Sequence, residues 1–383
     1  MSERPAVLLI NSLGTGGAER AVTAVAAELR RAQRDVRVLC LEVSPAGTPV
    51  PFVPLSRMSA AASGFRKLAA LPILAVRLSR YVARENVGVV MSHLFRANFV
   101  NVLARLLARS GHRDIVVNHT RVSRLSSEGM QGRINWKLCR WLYPRADLAA
   151  SVSAGAAAES ARLLALPPGR SVILHDPIDT AAAARAGAVA RVPAIVCVGR
   201  LVALKRFQDV IIAFSRVVLD HPGLQLRLVG DGPERAALQR LSEKLEVAAR
   251  VTFFGMLSDP AGIVAGCACF VSSSETEGFG MAIVEALAAG VPVIASDCAY
   301  GPREILSPSS DPYSLLEPEA DIEMAPYGIL YPVGSVSALE KAMRRVFEDG
   351  ALRADLYRKG PIRAADFSVD RSAAEYDRLL FAV

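Results

Sequence analysis

Charge and tryptophan are scarce in this chain: 21% of its 383 residues are charged and Trp occurs twice. A low charged fraction beside 52% hydrophobic residues and a mean hydropathy of +0.30 excludes a disordered polypeptide and points to a heavily cored α/β protein. No uninterrupted apolar run reaches the roughly 18 residues of a membrane-spanning helix. The opening MSERPAVLLIN lacks the basic region and apolar core of a secretory signal, so the expected location is the cytoplasm. Six cysteines (Cys40, Cys139, Cys197, Cys267, Cys269, Cys298) lie mostly in apolar runs, where a free thiol packs as a small hydrophobe. Only Cys267 and Cys269 are close, without the second pair a zinc site requires, and all six read as reduced and structural. At 383 residues the chain is long for one core and sufficient for two domains.

What charge there is falls unevenly. Residues 1–185 hold 25 Lys and Arg against 12 Asp and Glu, a net +13, while the remainder holds 20 against 25, a net −5, so the chain's net +8 comes from its first half. A basic half suits an anionic partner such as a membrane surface, a phosphorylated acceptor or nucleic acid.

The stretch that organises the rest runs from Ser272 to Glu304, SSSETEGFGMAIVEALAAGVPVIASDCAYGPRE. An apolar run at Cys267 to Val271 gives way to serines, then Glu277-Gly-Phe-Gly280, a helical segment from Met281 to Ala289 stopped by Gly290, and a second apolar run. This is strand, loop, helix and strand, half of a parallel α/β unit. Glu285 is the only charge on a helix apolar almost all round, so it is expected to be buried and to need donors, which two ribose hydroxyls would supply. Glu277 lies eight residues earlier, about 12 Å away along a helix, and the glycines at 278 and 280 leave N–H groups free at the positive helix end. Ribose, diphosphate and sugar have that layout. A solvated Glu277 and a Glu285 paired with a nearby Arg is the blander alternative.

In chain order, Ala6 to Ile10 reads as a buried strand, and Asn11 to Arg20 turns through glycines 14, 16 and 17 into a helix at about Ala18 to Arg31. The dinucleotide fingerprint fails because Glu19 holds its third glycine position, which leaves Glu42 after the second strand without an NAD context. Pro45 to Pro54 is a loop. From Phe65 to Arg84, Leu68, Leu71, Leu74, Leu78 and Tyr81 recur at helical spacing among basic residues, with Pro72 expected to break or kink the helix. That stripe fits a membrane-surface helix or one packed on a sheet. Strands at Val87 to Met91 and Ile115 to Asn118 end at His93 and His119, where ligands of open α/β sheets collect. Arg121 to Tyr143 mixes basic residues with Trp136, Trp141 and Tyr143, a composition suited to a bilayer interface or to helix packing. After a strand at Leu148 to Val152, residues 180–191 form a small-residue linker. The second half opens with a strand at Ala194 to Val198, then Arg200 and Lys205, a lysine in a chain that otherwise prefers arginine. Strands at Leu226 to Val229 and Val251 to Phe254 lead to Gly230-Asp-Gly-Pro and to Gly255-Met256. Residues 307–326 form a long acidic segment without an evident role, and helices at Val336 to Glu348 and Asp366 to Phe381 close the chain.

EGFGMAIVE, followed by EALAAGVPVIASD and GPREI, resembles the retaining GT-B glycosyltransferases of family 4, and GGAER resembles that family's first loop. The resemblance implies an α/β GT-B fold of two Rossmann-like domains with parallel sheets facing across a cleft. Residues 1–178, with a helix at 367–383 returning to them, would be the acceptor-side domain, and 179–366 the nucleotide-sugar domain. It implies Glu285 on the ribose hydroxyls, Arg200 and Lys205 on the diphosphate, and Glu277 with the backbone of Gly278, Phe279, Gly280 and Met281 on the sugar. Gly255 and Met256 would hold the base, Gly16 and Gly17 would face donor and acceptor, and His119 would lie near the anomeric centre, with His93 and Arg121 on the acceptor side. Asp176 stands where the family has Asn, altering hinge hydrogen bonds or pairing with Arg170. The chain has no D-x-D motif, so two cations and helix N-termini are expected to meet the leaving-group charge without a metal or other cofactor. GGAER with DCAYGPREIL is most similar to the bacterial branch that extends lipopolysaccharide core or polyprenyl-diphosphate-linked glycans. The expected reaction moves a hexose or N-acetylhexosamine from a nucleotide-sugar, a UDP-sugar by preference, to a lipid-linked or lipopolysaccharide acceptor at the inner face of the cytoplasmic membrane. Nucleic acid is not an expected partner. A soluble acceptor, a nucleotide-sugar epimerase and a silent binding module are the competing readings.

Overall fold

The structure is a computed structural model that describes residues 4–382 apart from 15, 45–47, 49, 60–61, 109, 128, 182–183 and 185–190. Most of the 180–191 linker and part of the 45–54 loop lie outside the described residues. The chain divides into two compact units, Met1–Pro177 with Val369–Val383, and Ile178–Ser368.

In the first unit, β1 (Ala6–Ile10), β2 (Val36–Cys40), β3 (Phe52–Pro54), β4 (Val89–His93), β5 (Arg113–Asn118), β6 (Leu148–Ser151) and β7 (Ser171–Ile173) form one sheet in the order β3-β2-β1-β4-β5-β6-β7. Every pairing is parallel. All five residues of β1 are buried, as expected of a strand covered by helices on both faces and made of a continuous apolar run. The order reverses at β1/β4, so the turns leaving these two strands open at the topological switch point, where such sheets bind ligands.

The second unit repeats the plan with β8 (Val192–Val198), β9 (Gln225–Val229), β10 (Val251–Gly255), β11 (Cys267–Ser272), β12 (Val293–Ser296), β13 (Glu323–Ala325) and β14 (Gly328–Tyr331). Their order is β10-β9-β8-β11-β12-β14-β13, parallel except for the antiparallel edge strand β13. The acidic segment before Tyr327 thus ends as that edge strand. Its switch point falls at β8/β11, beside Lys205 and the Ser273–Gly280 loop.

Several expectations change. Phe65 to Arg84 is two helices, Gly64–Ala69 and Leu71–Arg84, and Pro72 sits in the first turn of the second, where its missing N–H has no helical partner to lose. Leu71, Leu74 and Leu78 lie in the core, where their helix packs against helix Phe95–Ala108, so the stripe faces inward. Tyr143 is likewise interior, its hydroxyl accepting from Asn98 Nδ2 at 2.8 Å. Helix Gly350–Ala364 is not evident from sequence pattern, because Gly360-Pro361 looks like a breaker. Gly360 is required there: a Cβ would meet the Leu287 carbonyl oxygen at 2.9 Å, so its absence lets two helices pack closely. All six cysteines are buried and free, and burial raises the thiols of Cys40 and Cys267 to about 11.

One buried polar network ties helix Phe95–Ala108 to the sheet. Asn101 Nδ2 donates to the Val90 carbonyl at 2.9 Å, while His112 bridges Asn101 Oδ1 and Ser110 Oγ, both at 2.8 Å. Burial, followed by the Arg105 charge, lowers His112 from 6.5 to about 4, with Asp147 opposing. The folded protein therefore binds fewer protons at this site than the unfolded chain between those values. The His112 contribution is present above pH 6.5 and is lost as pH falls towards 4, on the order of 3 kcal/mol in all. Urea midpoints of wild type and His112→Asn across pH 4 to 7 should show this loss in the wild type alone. Parallel profiles would refute it.

Candidate active site

The loop after β11 is stitched to the turn after β8. Ser273 Oγ donates to the Lys205 carbonyl at 2.6 Å and the Glu275 amide to the Leu204 carbonyl at 2.8 Å. Across that seam Lys205 Nζ reaches Glu277 Oε1 at 2.5 Å, and the same oxygen accepts from Ser274 Oγ at 2.6 Å. The side chains of Lys205 and Glu277 keep 26% and 15% exposure, enough for a ligand to reach them. The Glu277 backbone is fixed from its other side, since its amide donates to the Ala299 carbonyl and its carbonyl accepts from the Tyr300 amide, both at 3.3 Å.

Gly280 caps helix Met281–Ala288 at φ 105°, a left-handed conformation that favours glycine, and so swings the loop into the helix. Phe279 is buried edge-on against Phe367 at 5.0 Å, which leaves only its backbone for a ligand. Glu285 is half-buried rather than buried, since Ile283, Val284, Ala286, Leu287 and Ala288 form the covered face of the helix. Arg200 is exposed after β8. Gly255, at φ 71°, ends β10 with its carbonyl taken by the Gly230 amide at 2.8 Å, and Met256 beside it is 57% exposed.

Arg303, to which no sequence motif assigns a role, is the clamp of this region. It is nearly fully buried and grips Asp297 through Nε at 3.0 Å and Nη2 at 2.6 Å, and Glu323 through Nη1 at 3.2 Å and Nη2 at 2.8 Å. The Leu316 amide donates to the same Asp297 at 2.7 Å. Residues 307–326 are thus tied through Leu316 and Glu323 to the Asp297–Arg303 pair, and Tyr313 packs edge-on to Tyr300 at 6.4 Å.

In the first unit His93 and His119 come together: His93 Nδ1 lies 2.9 Å from His119 Nε2, and His119 Nδ1 lies 3.1 Å from Asp176 Oδ1. Asp176 therefore faces His119, not Arg170, which donates to the Ala146 carbonyl instead. Burial, followed by the neighbouring His119, holds His93 well below the usual histidine range. Arg121 approaches Glu159 at 3.5 Å, and Glu159 also accepts from the Val122 amide at 3.0 Å and Ser123 Oγ at 2.7 Å. Gly16 caps helix Gly17–Arg31. A cavity of about 220 Å³ beside it is lined by Leu13, Gly14, Arg20, Thr23, Ala24 and Thr48. Glu42, which has no NAD context, is buried between Arg96 at 2.5 Å and Lys67 at 3.0 Å.

Comparison with known proteins follows this division. Residues 15–182 match the family model described as Glycosyltransferase Family 4, and residues 183–363 match Glycosyl transferases group 1. A relative from Campylobacter jejuni, N-acetylgalactosamine-N,N'-diacetylbacillosaminyl-diphospho-undecaprenol 4-alpha-N-acetylgalactosaminyltransferase, is 24% identical over 96% of this chain and 98% of its own. The lipopolysaccharide core biosynthesis glycosyltransferase LpsE of Rhizobium meliloti is 30% identical over 44% of this chain and 43% of its own. Among solved structures, Anabaena HepE in complex with UDP superposes with a TM-score of 0.76 at 19% identity, covering 99% of this chain and all of that one, and the fold is GT-B.

Replacing Arg303 by Ala leaves Asp297 and Glu323 facing each other without their cation. The expected loss is about 3–5 kcal/mol, the usual consequence of stranding a buried charge, read as a lowered urea midpoint. A midpoint equal to wild type would show that the clamp carries no stability.

Proposed function

We propose a specific reaction for a chain that belongs to the GT-B glycosyltransferases, with a family 4 domain followed by a group 1 domain. It moves a hexose or N-acetylhexosamine from a UDP-sugar to a lipid-linked or lipopolysaccharide glycan, with retention at the anomeric carbon. The observation that carries this reading is the Lys205–Glu277 contact, which sets one cation and one carboxylate at the strand ends of the group 1 unit.

The donor's diphosphate is met by Lys205, by exposed Arg200 and by the N-terminal amides of helix Met281–Ala288. As the bond from C1 to the phosphate oxygen breaks, negative charge grows on the diphosphate, and these groups stabilise it with no metal required. Glu277 faces the sugar and lowers the energy of the positive charge that develops at C1. The acceptor hydroxyl oxygen forms its new bond to C1 on the face the diphosphate leaves, and its proton passes to the departing phosphate oxygen. Half-buried Glu285 accepts from the ribose hydroxyls. His119 meets the transferred sugar, with His93, expected on the acceptor side but fully buried, supporting it from within, and Arg121, Gly16 and Gly17 serve the acceptor side.

An anionic lipid-linked acceptor suits the basic first half of the chain and the names of its relatives. Contact with a membrane surface has support in one patch of the first unit. Phe65 and Met130 are 82% and 80% exposed on neighbouring helices, with a Cβ at Gly64 falling 2.8 Å from Gln131. Arg66, Arg133 and Lys137 on the same two helices are exposed as well. No described helix is long and apolar enough to cross the bilayer.

A panel of nucleotide-sugars, scored for nucleoside diphosphate release with and without bacterial lipid extract, tests the reaction. UDP should appear from one UDP-sugar only when lipid is present, and at an undiminished rate in excess chelator. Lys205→Ala, Glu277→Ala and His119→Ala should each slow release by about 100-fold or more. Donor conversion without lipid would indicate an epimerase, and binding without release a silent module. Wild-type rates in all three variants would remove the site assignment.

A further inference from the structure

His119, Asp176, His93 and Tyr376 form a sealed group in the first unit. The side chains of His119 and Asp176 are 6% and 7% exposed, and His93 and Tyr376 are fully buried. They come from four places in the chain: the turn after β5, the segment after β7, the end of β4, and the C-terminal helix Val369–Phe381. The reading of His119 as the group that meets the sugar leaves unexplained that both its nitrogens face other side chains.

The Asp176 contact decides where the His119 proton sits. At 3.1 Å the two atoms lack the alignment of a full hydrogen bond, yet the pair is almost out of water, where charges are weakly screened. A lone pair on Nδ1 would face the carboxylate oxygen and be repelled, whereas a proton there is attracted. His93 constrains the other side. It is fully buried, and burial opposes a charge on it, so it carries one ring proton. With a single proton on the His119 ring, held on Nδ1, Nε2 carries the lone pair, and the 2.9 Å contact is then a donation from His93 Nδ1–H to His119 Nε2. Tyr376 lies parallel to the His93 ring, 2° from coplanar with centroids 6.0 Å apart.

We propose that Asp176 is a positioning residue that keeps the proton on His119 Nδ1, so that Nε2 accepts a hydrogen bond from a sugar hydroxyl, with His93 holding that lone pair until the sugar arrives. This rests on His119 meeting the sugar, and it deepens that reading by assigning the direction of the hydrogen bond. The transferred sugar is then one with a hydroxyl donor at that point, and a deoxy or O-methyl analogue lacks the donated proton.

The test combines tautomers with kinetics on the full chain. Two-dimensional ¹H–¹⁵N histidine spectra of the wild type should show His119 protonated on Nδ1, and Asp176→Ala should move that proton to Nε2. The same variant should lower kcat by about tenfold or more with donor KM within threefold. Asp176→Asn, which keeps an acceptor oxygen, should restore the Nδ1 tautomer and most of kcat. Wild-type His119 carrying a proton on Nε2, alone or together with Nδ1, overturns the proposal without reference to activity. An Asp176→Ala protein with unchanged tautomer and kcat overturns it as well, provided His119→Ala is crippled. If His119→Ala transfers sugar at the wild-type rate, the reading of His119 itself has failed.

Discussion

The contact between Lys205 and Glu277 is the constraint on which the second unit's site depends. Two segments 72 residues apart in sequence meet there because β8 and β11 are neighbours in the sheet. Sheet pairing brings the strand ends together, and the Ser273 and Glu275 hydrogen bonds fix the loops to within a side chain's reach. Partly exposed ion pairs of this kind contribute little net stability, so the pair is better understood as geometry than as glue. Glu277 has no freedom to swing: its backbone is held at both amide and carbonyl, and Ser274 shares its oxygen. In the proposed reaction the donor diphosphate would be a second anion for Lys205, met without either partner moving far. Such preorganisation lets charges act on a transition state without first being arranged.

The first unit places its polar groups by the same rule. His93 ends β4, His119 follows β5, Asp176 follows β7 and Gly16 follows β1, all at the carboxyl edge of one parallel sheet. Strand interiors are filled by apolar runs, and the turns that leave them carry amides outside the ladder and side chains free of the sheet's packing demands. A parallel sheet has this edge only once, which is why two unrelated stretches of sequence arrive at the same layout.

Much of this layout is legible in the amino-acid sequence. Buried parallel strands are continuous apolar runs, so β1, β5, β6 and β11 announce themselves, and Gly290 at φ 68° ends its helix as its position suggests. Short edge strands such as β3, β7 and β13 carry too few residues for a period to show. Side-chain partnership over long separations leaves no trace in a sequence pattern. Arg303 is one arginine among many by composition, yet it is the residue that grips both Asp297 and Glu323. Closeness in sequence suggests Arg170 as a partner for Asp176, and the fold brings Asp176 to His119 instead. A helix apolar all round suggests a buried Glu285. Burial follows the face presented to the sheet and not the helix average, so its position between buried Val284 and Ala286 still leaves it half-open.

The basic surplus of residues 1–185 has a different standing from any of these contacts. Many of those arginines are already engaged: Arg34 with Asp377, Arg37 with Glu85, and Arg105 with Asp114 and Asp147. Pairing cancels a local charge but cannot change the count, and with 25 basic against 12 acidic residues the surplus remains after every pair is made. Its effect is a field that draws anions to the first half of the chain and weakens with salt over about 8–10 Å. A field of that kind raises the rate of encounter without fixing an angle of approach. Orientation must come from short-range features, and Phe65 and Met130, apolar and open to solvent on adjoining helices, are the kind of feature that sets it.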